Sequence, residues 1–315
     1  MAIILSVVPS SSLRAERSNP SIYKDSMDCF VASFLAMTEM PREIMLTRTE
    51  HLFDEATRVV AGDSRWQGRT SPDYYAFVGP FGGFTAATIL RALIEHPQRA
   101  GDPLALTVNY CAPIAEGEFD LDVRLVKANR SSQHWCVELS QGNGDVATLA
   151  TAVFAERRPS WSHQAAQMPE AKPFASIPPY TRIAAPWIKQ YDFRFVDGDP
   201  NFASAKGAPA SAYSKLWIGD RAPRKIDMLS LVSMSDAFFA RVFHARRELV
   251  PFGTVTLTTY FHLSMEDLAA EDTTHVLACA DAKIFNRSYQ DQTGELWSPS
   301  GKLIATTTQM GYFKA

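Results

Sequence analysis

The chain of 315 residues contains 46% hydrophobic and 21% charged residues and carries a formal net charge of −3. These values are typical of a globular protein with enough apolar residues for one large domain or two ordinary ones. The nearly balanced charge gives no basic surface for nucleic acid or an anionic membrane, and no stretch is long and apolar enough to span a bilayer.

The spacing of the cysteines argues against a metal site, and the absence of the usual nucleotide-binding motifs argues against a nucleotide cofactor. The four cysteines, Cys29, Cys111, Cys136 and Cys279, are far apart and lack metal-ligand spacing. The sequence contains neither a GxGxxG nor a Walker A motif, and it lacks the GxSxG of a serine esterase. We therefore predict no metal and no cofactor, and the separated thiols favour a reducing, cytoplasmic location.

Residues 1–44 differ in character from the rest of the chain. The first apolar run, MAIILSVV, has no basic residues before it, and the polar stretch RAERSNPS follows soon after. We interpret this start as neither a signal peptide nor a membrane anchor. The segment is predicted to be disordered or outside the fold, and one interpretation places the biological start at Met40 or Met45.

The first domain is predicted to occupy residues 45–157 and to combine one helix with an antiparallel sheet. Residues 79–96 begin with glycines and continue with an apolar stripe from Phe84 to Ile94 at helical spacing. Alternating apolar residues then predict strands, the last two joined by a turn at Asn143–Gly144. The predicted strands cover residues 104–114, 119–126, 134–140 and 146–155.

A proline-rich linker at 158–189 separates this domain from a second one at 190–315. Six prolines between Pro159 and Pro186 make a helix or a central strand unfavourable in the linker. Residues 235–243 predict a second helix, with Asp236 at its N-terminus and Phe238, Phe239, Val242 and Phe243 on one face. Strands are predicted within 254–263, 274–285, 294–297 and 301–313.

The two domains are related by an internal repeat. A shift of 157 positions places residues 129–154 on 286–311 without a gap and gives eight identities in 26 positions. The turn glycines Gly144 and Gly301 coincide under this shift. The sequence therefore predicts a duplicated unit of a helix and an antiparallel sheet, with the two sheets joined side by side as in a dimer.

Several motifs resemble those of the bacterial type II acyl-CoA thioesterases over about residues 48–315. The segments GPFGGFTAA, SKLWIGDR, SMSDAFF, TVTLTTYFH and ATTTQMG resemble the family's helix entries and catalytic strands. The resemblance implies an α+β tandem hotdog fold, with two long helices each wrapped by a curved antiparallel sheet. It also implies an acyl-CoA substrate, a role in fatty acid metabolism and assembly into a homo-oligomer.

The resemblance further implies one catalytic triad, which consists of Asp236, Thr254 and Gln309. An ionised Asp236 would accept a proton from water while the hydroxyl and the amide orient that water, so that no acyl-enzyme forms. The backbone N–H groups at Gly82 and Gly83 would receive the thioester oxygen. The repeat places Ala152 at the position of Gln309, which predicts a single site per chain.

Two other functions remain open from the sequence. A hotdog enoyl-CoA hydratase would need an Asp/His pair, and no histidine is placed suitably near Asp236 by the pattern. A non-catalytic acyl-CoA-binding protein should have lost a polar member of the triad. All three members are present, which favours hydrolysis of the thioester to a carboxylic acid and free CoA.

Overall fold

A computed structural model describes residues 50–62, 65–142, 144–182, 185–200 and 211–314 of the chain. The predictions for residues 1–44, including a start at Met40 or Met45, lie outside the described residues. Within the described ranges, no helix has the length and apolar character needed to cross a membrane.

Six α-helices and thirteen strands are present in the described residues, where the strands form one sheet. The helices are α1 (Leu52–Ala56), α2 (Gly82–Glu95), α3 (Pro186–Lys189), α4 (Met228–Ser235), α5 (Arg241–Arg246) and α6 (Met265–Ala270). The first six strands are β1 (Val60–Ala61), β2 (Trp66–Arg69), β3 (Asp102–Tyr110), β4 (Glu118–Ala128), β5 (Ser132–Gln141) and β6 (Asp145–Ala155). The others are β7 (Tyr191–Asp197), β8 (Ser214–Asp220), β9 (Phe252–Phe261), β10 (His275–Asp281), β11 (Phe285–Asn286), β12 (Tyr289–Trp297) and β13 (Leu303–Phe313).

The sheet is built from two halves that meet at β3 and β9. Its strand order is β1-β2-β4-β5-β6-β3-β9-β13-β12-β10-β8-β7, with β11 paired to β12. β3 and β9 are antiparallel, and Thr107 lies opposite Thr258, with the two hydroxyl oxygens 3.0 Å apart. The side-by-side arrangement predicted from the repeat is therefore confirmed.

The repeat shift of 157 is preserved in the strand boundaries. Ser132 opens β5, and the residue 157 positions later, Tyr289, opens β12. The turn before β13 contains Gly301, whose N–H donates to the Ser298 carbonyl at 3.0 Å and whose φ is +91°. Glycine suits this position because a positive φ costs it little. Asn143 of the equivalent first turn lies outside the described residues.

The predicted helix of the first half is α2, which lies against α4. Ten of its residues are buried, which agrees with the apolar stripe in the sequence. A Cβ added at Gly83 would lie only 2.3 Å from the Ser233 carbonyl oxygen, so the glycine permits the close approach of the two helices. The helix pair thus brings the start of α2 to the end of α4.

The prediction of a continuous helix over residues 235–243 in the second half is wrong. The helix begins earlier because the Asp227 side chain accepts a hydrogen bond from the Ser230 N–H at 2.8 Å and caps α4. It ends at Ser235, and Asp236 is its C-cap residue. The chain then leaves helical geometry, since the Phe239 ring packs 5.3 Å from the Phe193 ring on β7, before α5 begins.

The first part of the proline-rich segment contacts β8 and the start of β13, whereas Trp187 further along stacks on Phe81, just before α2. The Lys172 carbonyl accepts a hydrogen bond from the Trp217 indole N–H at 2.8 Å, and Gln164 accepts one from the Leu303 N–H at 2.8 Å. A short 3₁₀ helix, Phe174–Ser176, and α3 interrupt the segment. It covers a second, smaller apolar cluster that includes Trp217, Leu277 and Trp297. The boundaries 45–157, 158–189 and 190–315 stay a prediction.

Candidate functional site

The three side chains of the predicted triad form one hydrogen-bonded group. The Gln309 Nε2 donates to Asp236 Oδ1 at 2.5 Å and to the Thr254 hydroxyl at 2.9 Å. The Thr254 hydroxyl in turn donates to the same Asp236 oxygen at 3.2 Å. Asp236 and Gln309 are each 6% exposed. Residues from the end of α4, from β9 and from β13 therefore meet at a single buried carboxylate.

Asp236 faces the N-terminus of α2 and does not begin a helix of its own. The prediction that Asp236 begins a helix is therefore wrong. Because α4 begins at its Asp227 cap, Asp236 lies at the C-terminal end of that helix. The Gly83 N–H at the start of α2 donates a hydrogen bond to the Asp236 carboxylate. The favourable helix dipole predicted for this carboxylate is thus provided by the other half of the chain.

Gly82 lies between the carboxylate and the ring of Tyr110. A Cβ at this position would lie 2.6 Å from Asp236 Oδ2 and 3.1 Å from the Tyr110 hydroxyl oxygen. The Tyr110 hydroxyl donates to the Gly82 carbonyl at 2.7 Å. Burial, together with the nearby Asp236, raises the pKa of Tyr110. Both predicted glycines are therefore in the site, where they contact the carboxylate.

Burial raises the pKa of Asp236 to about 7. Desolvation disfavours the ionised form, while hydrogen bonds from Thr254, Gly83 and Gln309 favour it and act in the opposite direction. A carboxyl with a pKa near neutrality can gain and lose a proton under ordinary conditions. The arrangement can therefore perform general acid–base chemistry on a water molecule.

The sequence reasoning missed Gln292 on β12. Its Nε2 donates to Gln309 Oε1 at 2.9 Å, and only 1% of the residue is exposed. Gln292 lies directly opposite Gln309 in the β12–β13 ladder. Two features of the sequence indicate Gln292. The alternation along β12 buries Gln290 and Gln292 on the same face, and the hairpin register counted from the turn at Gly301 places Gln292 opposite Gln309.

In the first half, the residue pair equivalent to Gln292 and Gln309 is apolar. Trp135 and Ala152 lie opposite each other in the β5–β6 ladder, and the shift of 157 carries them onto Gln292 and Gln309. Trp135 is 1% exposed and Ala152 is 2% exposed. The fold therefore accepts an indole and a methyl group at the two positions where the second half has amides.

The first half also has no hydroxyl group at the position equivalent to Thr254. Thr254 lies opposite Gly311, and the residue 157 positions before Gly311 is Phe154, which lies opposite Pro103. Pro103 has no group that could donate to a carboxylate. The polar groups of the site are thus concentrated in the second half, and the first half contributes the glycine-rich start of α2.

His262, the histidine nearest to the triad strand in sequence, lies elsewhere. Its Nε2 is 3.0 Å from the Thr306 hydroxyl, and the contact is exposed. No hydrogen bond between a histidine and the Asp236 carboxylate is present among the described residues.

Comparison with protein families matches both halves of the chain. The model of the acyl-CoA thioesterase N-terminal domain matches residues 71–155, and that of the acyl-CoA thioesterase C-terminal domain matches residues 161–313. The second match begins inside the segment predicted as a linker. A search of curated proteins found no match.

Solved structures share the same fold. A conserved hot dog fold protein of unknown function from Alicyclobacillus acidocaldarius is 41% identical, with a TM-score of 0.80 over 84% of this chain and 99% of that one. A thioesterase II described as putative, from Thermobifida fusca, is 18% identical, with a TM-score of 0.72 over 84% and 98% of the two chains. An acyl-CoA thioesterase II from Mycobacterium marinum is 19% identical, with a TM-score of 0.66 over 83% and 98%.

The duplicated helix-and-sheet unit, the single continuous sheet and the two family matches all lead to the same assignment. The first half matches the N-terminal domain of the family and the second half matches its C-terminal domain. The two domains therefore follow each other in the order that the family's names give them. The protein has a tandem hotdog fold and belongs to the acyl-CoA thioesterase family.

Proposed function

We propose that this protein hydrolyses acyl-CoA thioesters by direct attack of water, with Asp236 as the general base. The observation that carries the proposal is the convergence of Thr254 and Gln309 on one oxygen of a buried carboxylate. The pKa of about 7 for Asp236 supports it, because such a carboxylate is ionised in part at neutral pH and holds a proton strongly enough to accept one from water.

The proposed reaction uses the carboxylate twice. Asp236 takes a proton from water as the water oxygen bonds to the thioester carbonyl carbon. When the carbon–sulfur bond breaks, the same proton passes to the departing CoA sulfur, which gives a carboxylic acid and free CoA. Thr254 and Gln309 hold the carboxylate and the water in place through their hydroxyl and amide groups.

The predicted role of Gly82 and Gly83 in holding the thioester oxygen is kept as part of this proposal. In the free protein the Gly83 N–H donates to Asp236. Protonation of the carboxylate during attack removes its charge and weakens this hydrogen bond. We infer that the N–H turns to the developing oxyanion at that moment, when the negative charge moves from the carboxylate to the substrate.

A direct test measures free thiol release from acetyl-CoA, octanoyl-CoA and palmitoyl-CoA. We expect turnover of at least one of the three, and a loss of roughly 100-fold or more in kcat for Asp236→Ala. If Asp236→Ala keeps the full rate, the assignment of the base is wrong.

The same assay separates the two rival functions. Binding of all three acyl-CoAs without any turnover would indicate a non-catalytic acyl-CoA-binding protein. Loss of the enoyl absorbance of crotonyl-CoA without thiol release would indicate a hydratase. Neither rival is supported by the site, since the triad is complete and the hydrogen-bond partners of Asp236 come from Thr254, Gln309 and Gly83.

The proposed cellular setting rests on the widely separated cysteines and on the resemblance to the thioesterase family. We place the protein in the cytoplasm, as a homo-oligomer that acts in fatty acid metabolism on acyl-CoA. Fractionation of cells and sizing of the purified protein test the first two of these proposals. The panel of acyl-CoAs above identifies the chain length.

A further inference from the structure

We propose that Gln292 is a positioning residue of the site, which sets the orientation of the Gln309 amide. The inference rests on the proposed function, because its consequence is a loss of turnover. Gln292 is not assigned to touch substrate or water. It acts on the reaction only through Gln309, whose Oε1 accepts the hydrogen bond from Gln292 Nε2 at 2.9 Å.

The orientation of the Gln309 amide matters because its two ends have opposite hydrogen-bonding character. The NH₂ end can donate twice, and in the structure it donates to Asp236 Oδ1 and to the Thr254 hydroxyl. An amide rotated by 180° would present its carbonyl oxygen to the carboxylate instead. Two acceptors would then face each other in a buried site, which destabilises the ionised carboxylate.

Gln292 favours the productive orientation by supplying a donor on the far side of Gln309. With Gln292 Nε2 in place, Gln309 Oε1 has a partner only when its NH₂ group faces Asp236. The three side chains thus form a chain of donors that runs from Gln292 through Gln309 to Asp236. Because Gln292 is 1% exposed, bulk water does not replace this donor.

The duplication shows that the fold does not need an amide at this position. In the first half the equivalent residue is Trp135, which lies opposite Ala152 and is buried to the same degree. A side chain that only filled space could therefore be apolar. Burial of an amide donor costs free energy unless the donor is hydrogen-bonded, and here the Gln292 donor is used on Gln309, whose own amide donates to the carboxylate.

The test compares Gln292→Met with wild type, using the acyl-CoA that the wild type hydrolyses fastest. Methionine has similar length and volume but cannot donate a hydrogen bond. We expect kcat to fall roughly ten-fold with KM unchanged. The midpoint of the kcat/KM profile should move to higher pH, since a rotated Gln309 disfavours ionised Asp236. Gln292→Asn, which keeps the amide but is too short to reach Gln309, should show the same losses.

A matched control is available on the same strand. Gln290 is also buried and also on the inner face of β12, but its Oε1 accepts from the Val242 N–H at 2.7 Å. Gln290→Met removes a buried amide from the same strand without touching the triad. We expect it to keep kcat and the pH midpoint of the wild type, while thermal melting of each variant reports its stability.

A double-mutant cycle tests whether Gln292 acts through Gln309. In a Gln309→Met background, Gln292→Met should change kcat by less than a factor of two, because no amide is left to orient. Independent, multiplicative losses would overturn the proposal. So would a Gln292→Met variant that behaves like Gln290→Met. If Asp236→Asn also retained full activity, the triad itself would be wrong, whereas an inactive Asp236→Asn confines the failure to Gln292.

Discussion

The Asp236 carboxylate contacts the first residue of a helix that belongs to the other half of the chain. A Cβ at position 82 would lie 2.6 Å from Asp236 Oδ2, a distance that real contacts of this kind do not reach. Glycine at this position therefore allows the carboxylate to approach the positive end of α2. The contact joins the two halves of the site.

Gly82→Ala should lower kcat by roughly ten-fold or more, because the added methyl group displaces the carboxylate from its hydrogen bonds. The stability should change little, since alanine favours the helix while the steric contact opposes this gain. Steady-state kinetics and thermal melting measure the two effects. Gly253→Ala is the control, because a Cβ there would have no atom within 4 Å apart from those of its own residue and its two chain neighbours. Equal rates for Gly82→Ala and wild type would show that the contact is not needed.

The pH dependence of turnover should follow the ionisation of Asp236. Burial raises its pKa to about 7, and the general base acts only when deprotonated. We expect kcat/KM to fall as the pH is lowered through about 7 and to be constant just above it. A profile between pH 5 and 9 measures this midpoint. A midpoint near the ordinary pKa of an exposed aspartate would contradict the assignment of the buried carboxylate as the base.

Thr254→Val should lower kcat and move that midpoint to higher pH. The Thr254 hydroxyl donates to Asp236 Oδ1 and lowers the pKa of the carboxyl, so its removal leaves the ionised form less stable. Valine keeps the shape of threonine, and roughly ten-fold loss of kcat is expected. Thr254→Ser, which keeps the hydroxyl, should retain most activity and the wild-type midpoint. Identical profiles for the valine and serine variants would be inconsistent with this role.

Asp236→Asn should stabilise the folded protein at neutral and higher pH. The pKa of Asp236 is raised from 3.8 to about 7 on folding. Between these values the folded state holds a proton that the unfolded state has lost, so the stability of the wild type falls as pH rises through this window. The advantage of the asparagine variant should grow from pH 4 to pH 7 and then level off at up to a few kcal/mol.

Chemical denaturation of both proteins at pH 4, 5.5, 7 and 8 measures this difference. Asp220, whose pKa burial also raises to about 7, titrates in both proteins and cancels in the comparison. A difference that is independent of pH would show that Asp236 does not carry a raised pKa in the folded protein.

Most of the strands were predictable because their cause is local. Alternation of apolar and polar residues fixed the inner face of β5, where Trp135, Val137 and Leu139 are buried and His134 and Glu138 are exposed. The repeat also predicted the joined sheets, because equivalent turns recur at one constant shift. The short strands β1 and β2 and the edge strand β7 were not predicted, since they lack this alternation over a sufficient length.

The helix of the second half was misplaced because tertiary packing competes with a local signal. The aromatic residues after Asp236 have helical spacing, but Phe239 packs against rings from β7 and from the proline-rich segment, including Phe193 and Tyr180. The cap at Asp227 then begins the helix upstream. Helical spacing of aromatic residues only weakly favours a helix, because their intrinsic helix propensity is low to moderate. The packing of Phe239 against these rings therefore decides the backbone conformation after Asp236.

The sequence by itself determined the duplication, the strand faces and the three residue types of the predicted triad. Only the tertiary structure decided what the carboxylate faces, since Gly82 and Asp236 are far apart in the chain and meet through the packing of α2 on α4. It also decided the part played by Gln292, whose contact with Gln309 depends on the register of two strands. Local patterns encode which face of an element is buried, whereas contacts between elements depend on how those faces pack.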